Sequence, residues 1–373
     1  MSTDAAHSLG DALDRDLTGT GLGTPLPIEA HLAALQVSGQ RHFGGSWEVV
    51  QGYLVSTLGA LGVDPVVAEE MTSLPGAEEI AALLELRNQA QSGRWDLIVV
   101  DCAPTAETLR LLAFPENLAW HLRRMLPGTA GMRRAARPAA AAALGIPLPG
   151  PEVVDIVRRW HDDMLAVRNL LSSDRASVRL VTTAESVVIA ESRRTWTSLS
   201  LYGYAVDAVY VNKILPAPDP GEANTGAADF LRSWNQAQAR GIAEVVESFT
   251  GIPVVRSAYL DREPIGPDAL AALAEGLALG ELAGRDVLAP VATSPMAVRR
   301  TAKGFDLALR LPLTSAKEVG LQRRADELLL SVGDQRRIVT LPSVLTRCHV
   351  AGARVRAGQL TVAFVPDPAQ WPR

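Results

Sequence analysis

Asp101 closes the apolar run Leu97-Ile98-Val99-Val100. A carboxylate at the end of a buried strand is costly unless it is paired, hydrated or near a cation. Two readings follow: Asp101 manages a positive charge, or it caps the segment after it. Near the start, Ser2-Thr3-Asp4 supplies three good capping types, and on residue type alone Asp4 reads as a helix N-cap. Asn212 ends a second apolar run, where its type suits a strand-end turn. Cys102 and Cys348 are the two cysteines. They allow no disulfide framework, and no CxxC pair exists to hold zinc.

Four short segments would position these groups. Leu97–Val100, Val178–Val181, Val206–Val211 and Ile252–Val255 are apolar on both faces, as parallel strands covered on two sides require. Each runs into polar residues: Asp101, Thr182–Thr183, Asn212 and Ser257. In open α/β sheets, ligands bind at those carboxyl ends. Helices are expected between them at Ala77–Gln91, Pro115–Leu126, Glu185–Tyr202 and Ala269–Leu282, with Gly203 stopping the third. In Pro151–Leu171, the residues Val153, Val157, Trp160, Met164, Val167 and Leu171 form one continuous stripe. The stripe fits core packing, and it also fits a helix lining a groove for a client segment. Ala135–Pro149, rich in Ala and Pro, reads as a mobile connector beside it.

From about Thr301 the period becomes two. Phe305, Leu307, Leu309 and Leu311 alternate with Asp306, Ala308, Arg310 and Pro312. Further β runs at Glu327–Val332, Arg337–Leu341, Cys348–Val355 and Leu360–Val365, with turns at Gly333 and Gly358, predict a small β-sandwich. The boundary falls near Ala289–Pro295, where Pro290 and Pro295 mark a linker. The expected domains are residues 1–289, α/β with a helical insertion at about 112–175, and residues 296–373, all β.

The net charge is −5, which gives no general attraction to nucleic acid or anionic lipid. Nucleic acid is therefore not an expected partner, and membrane association is expected only indirectly. No apolar run reaches the roughly 18 residues of a membrane-spanning helix. Asp4, His7 and Asp11 interrupt any signal-peptide core, so a reducing, cytoplasmic setting is the expectation.

Two blocks carry a family resemblance. The opening, Ser2-Thr3-Asp4-Ala5-Ala6-His7-Ser8-Leu9-Gly10-Asp11-Ala12-Leu13, is similar to the S-T-D-P-A-H-S-L-x-D-A-F pattern of the ArsA family of P-loop ATPases. Asp101-Cys102-Ala103-Pro104-Thr105-Ala106-Glu107-Thr108-Leu109-Arg110 resembles that family's D-T-A-P-T-G-H-T-L-R. Leu74–Glu79, Phe114-Pro115-Glu116, Val209–Pro216 and Glu263–Gly266 add shorter matches. The family includes the arsenite-pump ATPase and the ATPase that targets tail-anchored membrane proteins. The resemblance implies a P-loop-type parallel sheet with helices on both faces, ATP and Mg²⁺ as ligands, a homodimer, and a hydrophobic or protein client. It makes Asp4 the switch I carboxylate that orients the attacking water, with His7 and Ser8 in the same switch. It makes Asp101 the residue that holds Mg²⁺, usually through water. Pro104, Thr105 and Thr108 fall in switch II, where Ala106-Glu107 replaces Gly-His and stiffens the turn. Asn212 matches the residue that reads the adenine edge, a task its amide suits, and Pro264 lies in the late nucleotide loop. The last segment, through Leu309–Pro312 and Asp326–Gly333, resembles the α-crystallin-like sandwich appended to some bacterial members.

Members of that family carry a G-K-G-G-V-G-K-T loop before switch I. No G-x-x-x-x-G-K-[ST] occurs in these 373 residues, and none of Lys213, Lys303 and Lys317 follows a glycine. The expectation is that about 35 family residues precede this start, and that the chain as it stands hydrolyses ATP poorly. A nucleotide-independent, chaperone-like interaction protein is the alternative. Arsenite handling is not expected, because a soft metalloid needs about three converging thiolates.

Overall fold

The computed structural model describes residues 1–3, 8–20, 23–37, 44–64, 66–68, 77–102, 108–109, 112–113, 147, 149–217, 226–279, 286, 289 and 296–370. They form two compact units, Met1–Leu170 and Leu171–Arg373. The expected helix at Pro115–Leu126 and most of the Ala135–Pro149 connector lie outside the described residues.

In the first unit, Met1–Thr3 runs parallel between two other segments. Ser2 bridges Gln36 on one side and Asp101 on the other. The ladder is short but complete: Ser2 N donates to Leu35 O (2.9 Å), Val37 N to Ser2 O (3.1 Å), Asp101 N to Met1 O (2.8 Å) and Thr3 N to Asp101 O (3.0 Å). Ser2 is fully buried at its centre. The unit also holds α1 (Ser8–Leu13), a hairpin of β1 (Leu26–Glu29) and β2 (Leu32–Ala34), α2 (Gly44–Ala60), α3 (Ala77–Gln91) and most of α4 (Pro151–Leu171).

Helix α3 buries two polar side chains, Glu85 and Gln89. Gln89 Nε2 donates to Glu85 Oε1 (2.6 Å) and to Gly23 O (3.1 Å), and Gln89 Oε1 accepts from Trp95 Nε1 (2.8 Å). Satisfied amides of this kind fix one packing of a helix against a turn. Arg87 of α3 pairs with Asp163 of α4. Along α4, Val157, Met164 and Val167 are buried and Val153, Trp160 and Leu171 half-buried, so the stripe faces protein. One expectation is corrected here. Leu97–Val100 is not a strand covered on both faces: Leu97 is 51% and Val99 67% exposed, and among the described residues the β-bridge beside it is at Asp101. Apolar composition permits burial but does not supply the covering layer.

The second unit alternates strands and helices: β3 (Val178–Thr182), α5 (Ser186–Tyr202), β4 (Val206–Ile214), α6 (Gly226–Ser248), β5 (Val254–Ala258) and α7 (Pro267–Leu279). The three strands are parallel in the order β3-β4-β5. Val209 and Val211 of the middle strand are fully buried, whereas Val181 of β3 is 66% exposed, so β3 too lacks cover on one face. Gly203 ends α5 in the left-handed region (φ 87°). Its N–H reaches Ser200 O (3.0 Å) and the Tyr204 N–H reaches Leu199 O (2.9 Å), which satisfies carbonyls the helix leaves open.

The remaining strands are β6 (Met296–Thr301), β7 (Gly304–Arg310), β8 (Val319–Arg324), β9 (Glu327–Val332), β10 (Gln335–Thr340), β11 (Cys348–Arg356) and β12 (Gln359–Pro366). They build two antiparallel sheets, β11-β12-β7-β6 and β10-β9-β8. A four-residue helix, α8 (Ser343–Thr346), precedes β11. Leu307, Leu309, Leu328, Leu330, Val339, Leu360, Val362 and Phe364 fill the space between, and Leu201 of α5 joins them. Arg337, 2% exposed, donates from Nη1 to Leu201 O at 2.6 Å. A cation at a helix C-terminus meets the negative end of its dipole. Thr197 Oγ1 donates to Pro312 O (2.9 Å), and the Arg310 guanidinium lies 5.6 Å from the Trp196 ring centre. The sandwich therefore shares its core with the α/β half of this unit.

Candidate nucleotide site

Asp101 is exposed, at the carboxyl end of its segment and directly beside Met1–Thr3. Thr3 Oγ1 lies 3.4 Å from Asp101 O. Cys102, next in sequence, bonds weakly to Val100 O (3.7 Å) and is flanked by the hydroxyls of Thr108 and Thr3. Protein packed against one side of its sulfur pushes the thiol above its ordinary range; the Thr108 hydrogen bond opposes this, and the negative charge of Asp101 adds to it. The α-amino group of Met1 donates to Val99 O at 2.9 Å. Burial lowers its pKa, and the neighbouring Asp101 charge opposes that shift.

Among the predicted switch residues, Thr108 is half-buried and stands at the same place as Asp101 and Cys102, just before the buried pair Leu112 and Ala113. Ser8 is the exposed first residue of α1. Asp4, His7, Pro104 and Thr105 lie outside the described residues. The first unit thus brings together Asp101, Cys102, Thr3 and Thr108. Thr3 and Cys102 were not predicted as site residues; Cys102 is the sequence neighbour of Asp101, whereas Thr3 is brought there by the ladder, which sequence spacing does not encode.

In the second unit, Asn212 sits near the end of β4, where pairing with β5 skips from Val211 to Ile214. Lys213 takes φ 56°, and its N–H donates to Asn212 Oδ1 at 2.8 Å. Asn212 is thus a residue of β4 at an irregularity of its pairing, and not in the strand-end turn expected from its type. The loop beyond is held by α6: Gln238 accepts from Leu215 N (3.0 Å) and donates to Leu215 O (3.3 Å), and Asn235 Nδ2 donates to Pro216 O (3.0 Å). Pro264 follows β5, half-buried, just before the left-handed Gly266 (φ 83°). Asn212 lies near the carboxyl end of β4 and Pro264 beyond that of the adjacent parallel strand β5, the side on which ligands bind in such sheets.

No cluster of three or more His, Cys, Asp or Glu able to hold a metal occurs among the described residues. A single exposed carboxylate suits Mg²⁺, which keeps waters and takes further oxygens from a substrate's phosphates.

The profile described as the anion-transporting ATPase matches residues 1–279, three quarters of the chain. The chain belongs to the ArsA family of ATPases. A second profile, an HSP20-like domain found in ArsA, matches residues 302–364. A protein of Prosthecochloris vibrioformis, provisionally named an arsenical pump-driving ATPase, is 31% identical over 98% of this ArsA-family chain and 87% of its own length. An uncharacterized protein of Streptomyces coelicolor is 35% identical over 100% and 91%. ATPase GET3B of Arabidopsis thaliana is 26% identical over 72% and 69%. No helix among the described residues is long and apolar enough to cross a membrane.

Proposed function

We propose that this ArsA-family protein is an ATP-driven switch that binds and releases a hydrophobic or protein client in the cytoplasm, as a homodimer. The carrying observation is Asp101: an exposed carboxylate at the end of a parallel ladder, in a chain matched to an ATPase over residues 1–279. In this reading, Asp101 holds Mg²⁺ through water and Asp4 orients the attacking water. Bound Mg²⁺ would supply charge neutralisation at the β- and γ-phosphates. Asn212 and Pro264 border the adenine, and Thr105 and Thr108 carry phosphate state toward the client surface. The names of relatives extend to arsenical pumps, but Cys348 is a buried thiol within the sandwich. That leaves one exposed thiol, Cys102, and gives no support to arsenite as ligand.

Turnover asks for backbone N–H groups and a lysine cradling the phosphates. The test compares Mg²⁺-ATP hydrolysis by the 373-residue chain and by a form extended at its N-terminus with a strand and a G-x-x-x-x-G-K-[ST] loop. Turnover is expected in the extended form, and Asp101→Asn there should lower kcat by about 100-fold. Unchanged turnover in Asp101→Asn removes it from the site. The sandwich joined to α5 favours a second reading, a nucleotide-independent interaction protein. Client capture that ignores ATP in the extended form would select it.

A further inference from the structure

The outward face of the β11-β12-β7-β6 sheet carries a feature the ATPase reading does not use. On β12, Leu360, Val362 and Phe364 point into the core, so Gln359, Thr361 and Ala363 point outward. The register then sets one outward row of Arg354, Thr361 and Ala308, and a second of Gly352, Ala363, Asp306 and Arg299. Arg356 stands opposite Gln359 at the rim. Small residues along the middle of both rows leave a depression between the arginines. It is an open cleft of about 270 Å³, lined by Arg299, Arg354, Arg356, Asp306, Gln359 and Thr361.

The electrostatics are one-sided. Three guanidiniums and one carboxylate leave a local charge of about +2, since arginine stays protonated at every accessible pH. A guanidinium is a planar fork of donors matched to tetrahedral or planar oxyanions. The cleft lies below the roughly 300–1,000 Å³ that encloses a drug-sized ligand, so it suits one group and not a whole nucleotide. A phosphoryl group carries about −1.5 to −2 at neutral pH and three acceptor oxygens. It balances the cleft's charge, whereas one carboxylate does not. Thr361 and Gln359 offer neutral donors for oxygens the arginines leave open.

We propose that this face of the HSP20-like domain is a binding site for a phosphoryl dianion, either free phosphate or the phosphate of a monoester. The assignment is independent of the nucleotide reading, because every lining residue lies in β6, β7, β11 and β12, or in the turn-proximal end of β12. Calorimetric titration of the full chain at constant ionic strength tests it, with inorganic phosphate and O-phosphoserine as probes and acetate as the carboxylate control. Saturable heat is expected with one or both phosphates. Binding of O-phosphoserine alone assigns a monoester; binding of both assigns the phosphoryl group itself. The pair Arg354→Gln and Arg356→Gln should weaken binding at least about ten-fold. Asp306→Asn should tighten it about three-fold or more by removing a like charge, a gain that loss of folding cannot produce. Absence of heat with both phosphates overturns the proposal. So do phosphate affinity unchanged in the double variant, acetate binding as tightly as phosphate, and weaker binding by Asp306→Asn.

Discussion

Cys102 reports on the candidate site without any ligand. Crowding of its sulfur raises the thiol pKa, and only the thiolate is nucleophilic. In a Cys348→Ser background, Cys102 should therefore react with iodoacetamide more slowly than free cysteine at pH 8, and catch up only at higher pH. Replacing Thr108 by Val removes the hydrogen bond that opposes the shift and should slow the reaction further. A rate matching free cysteine across the whole pH range contradicts the packing described around the sulfur. At this scale the sequence was informative about type and poor about neighbours. Asp101 was singled out by its place after an apolar run and by the family resemblance, but the desolvation argument does not carry it, because Asp101 and, in the run before it, Leu97 and Val99 are exposed. Thr3 lies 98 residues from Asp101, and nothing local announces that pairing. Asn212 accepts from Lys213 N within β4, alongside the nucleotide role proposed for it.

Among the elements, several segments were read to the residue. Ala77–Gln91, Pro151–Leu171 and Glu327–Val332 have the expected bounds, and Gly203 ends α5 as anticipated. Helices α2 and α6, the β1-β2 hairpin and strands β6 and β8 were not read. In α6 the buried residues are Ala228, Gly241 and Val245, and its helical periodicity is as marked as that of α4, so the signal for this helix was present in the sequence. Gly241 is there for space: a Cβ would collide with Ala184 O at the entry to α5. Gly241→Ala should therefore destabilise the protein by about 1–3 kcal/mol, seen as a lower urea midpoint. A neutral result would show that α6 can shift away from that carbonyl.

At the scale of the whole molecule, the composition break near residue 289 falls between the two profile matches, residues 1–279 and 302–364, while the compact units are Met1–Leu170 and Leu171–Arg373. Leu201 is fully buried among sandwich residues, so the parallel sheet and the sandwich are expected to unfold together. Leu201→Ala should cost about 2–5 kcal/mol and lower the stability of the parallel sheet and sandwich together. Arg337→Met should cost about 1–3 kcal/mol by leaving the Leu201 carbonyl without its donor. Urea unfolding checks both, followed by far-UV circular dichroism and by Trp196 fluorescence in a background where the other six of the seven tryptophans are replaced by Phe. Coincident shifts are expected; a Trp196 transition separating from that of the sandwich would show that α5 and the sandwich fold apart.

The sequence alone determined the family, the α/β-then-β order of elements and the chemical candidates Asp101 and Asn212. These depend on residue type and short-range period, which are local properties of the chain. Tertiary structure decided which segments lie side by side: Met1–Thr3 between Leu35–Val37 and Asp101, a sandwich core completed by a leucine from α5, and arginines from two edge strands around one cleft. Backbone hydrogen bonds and side-chain packing join residues a hundred positions apart, and no local pattern in the chain records such a partner.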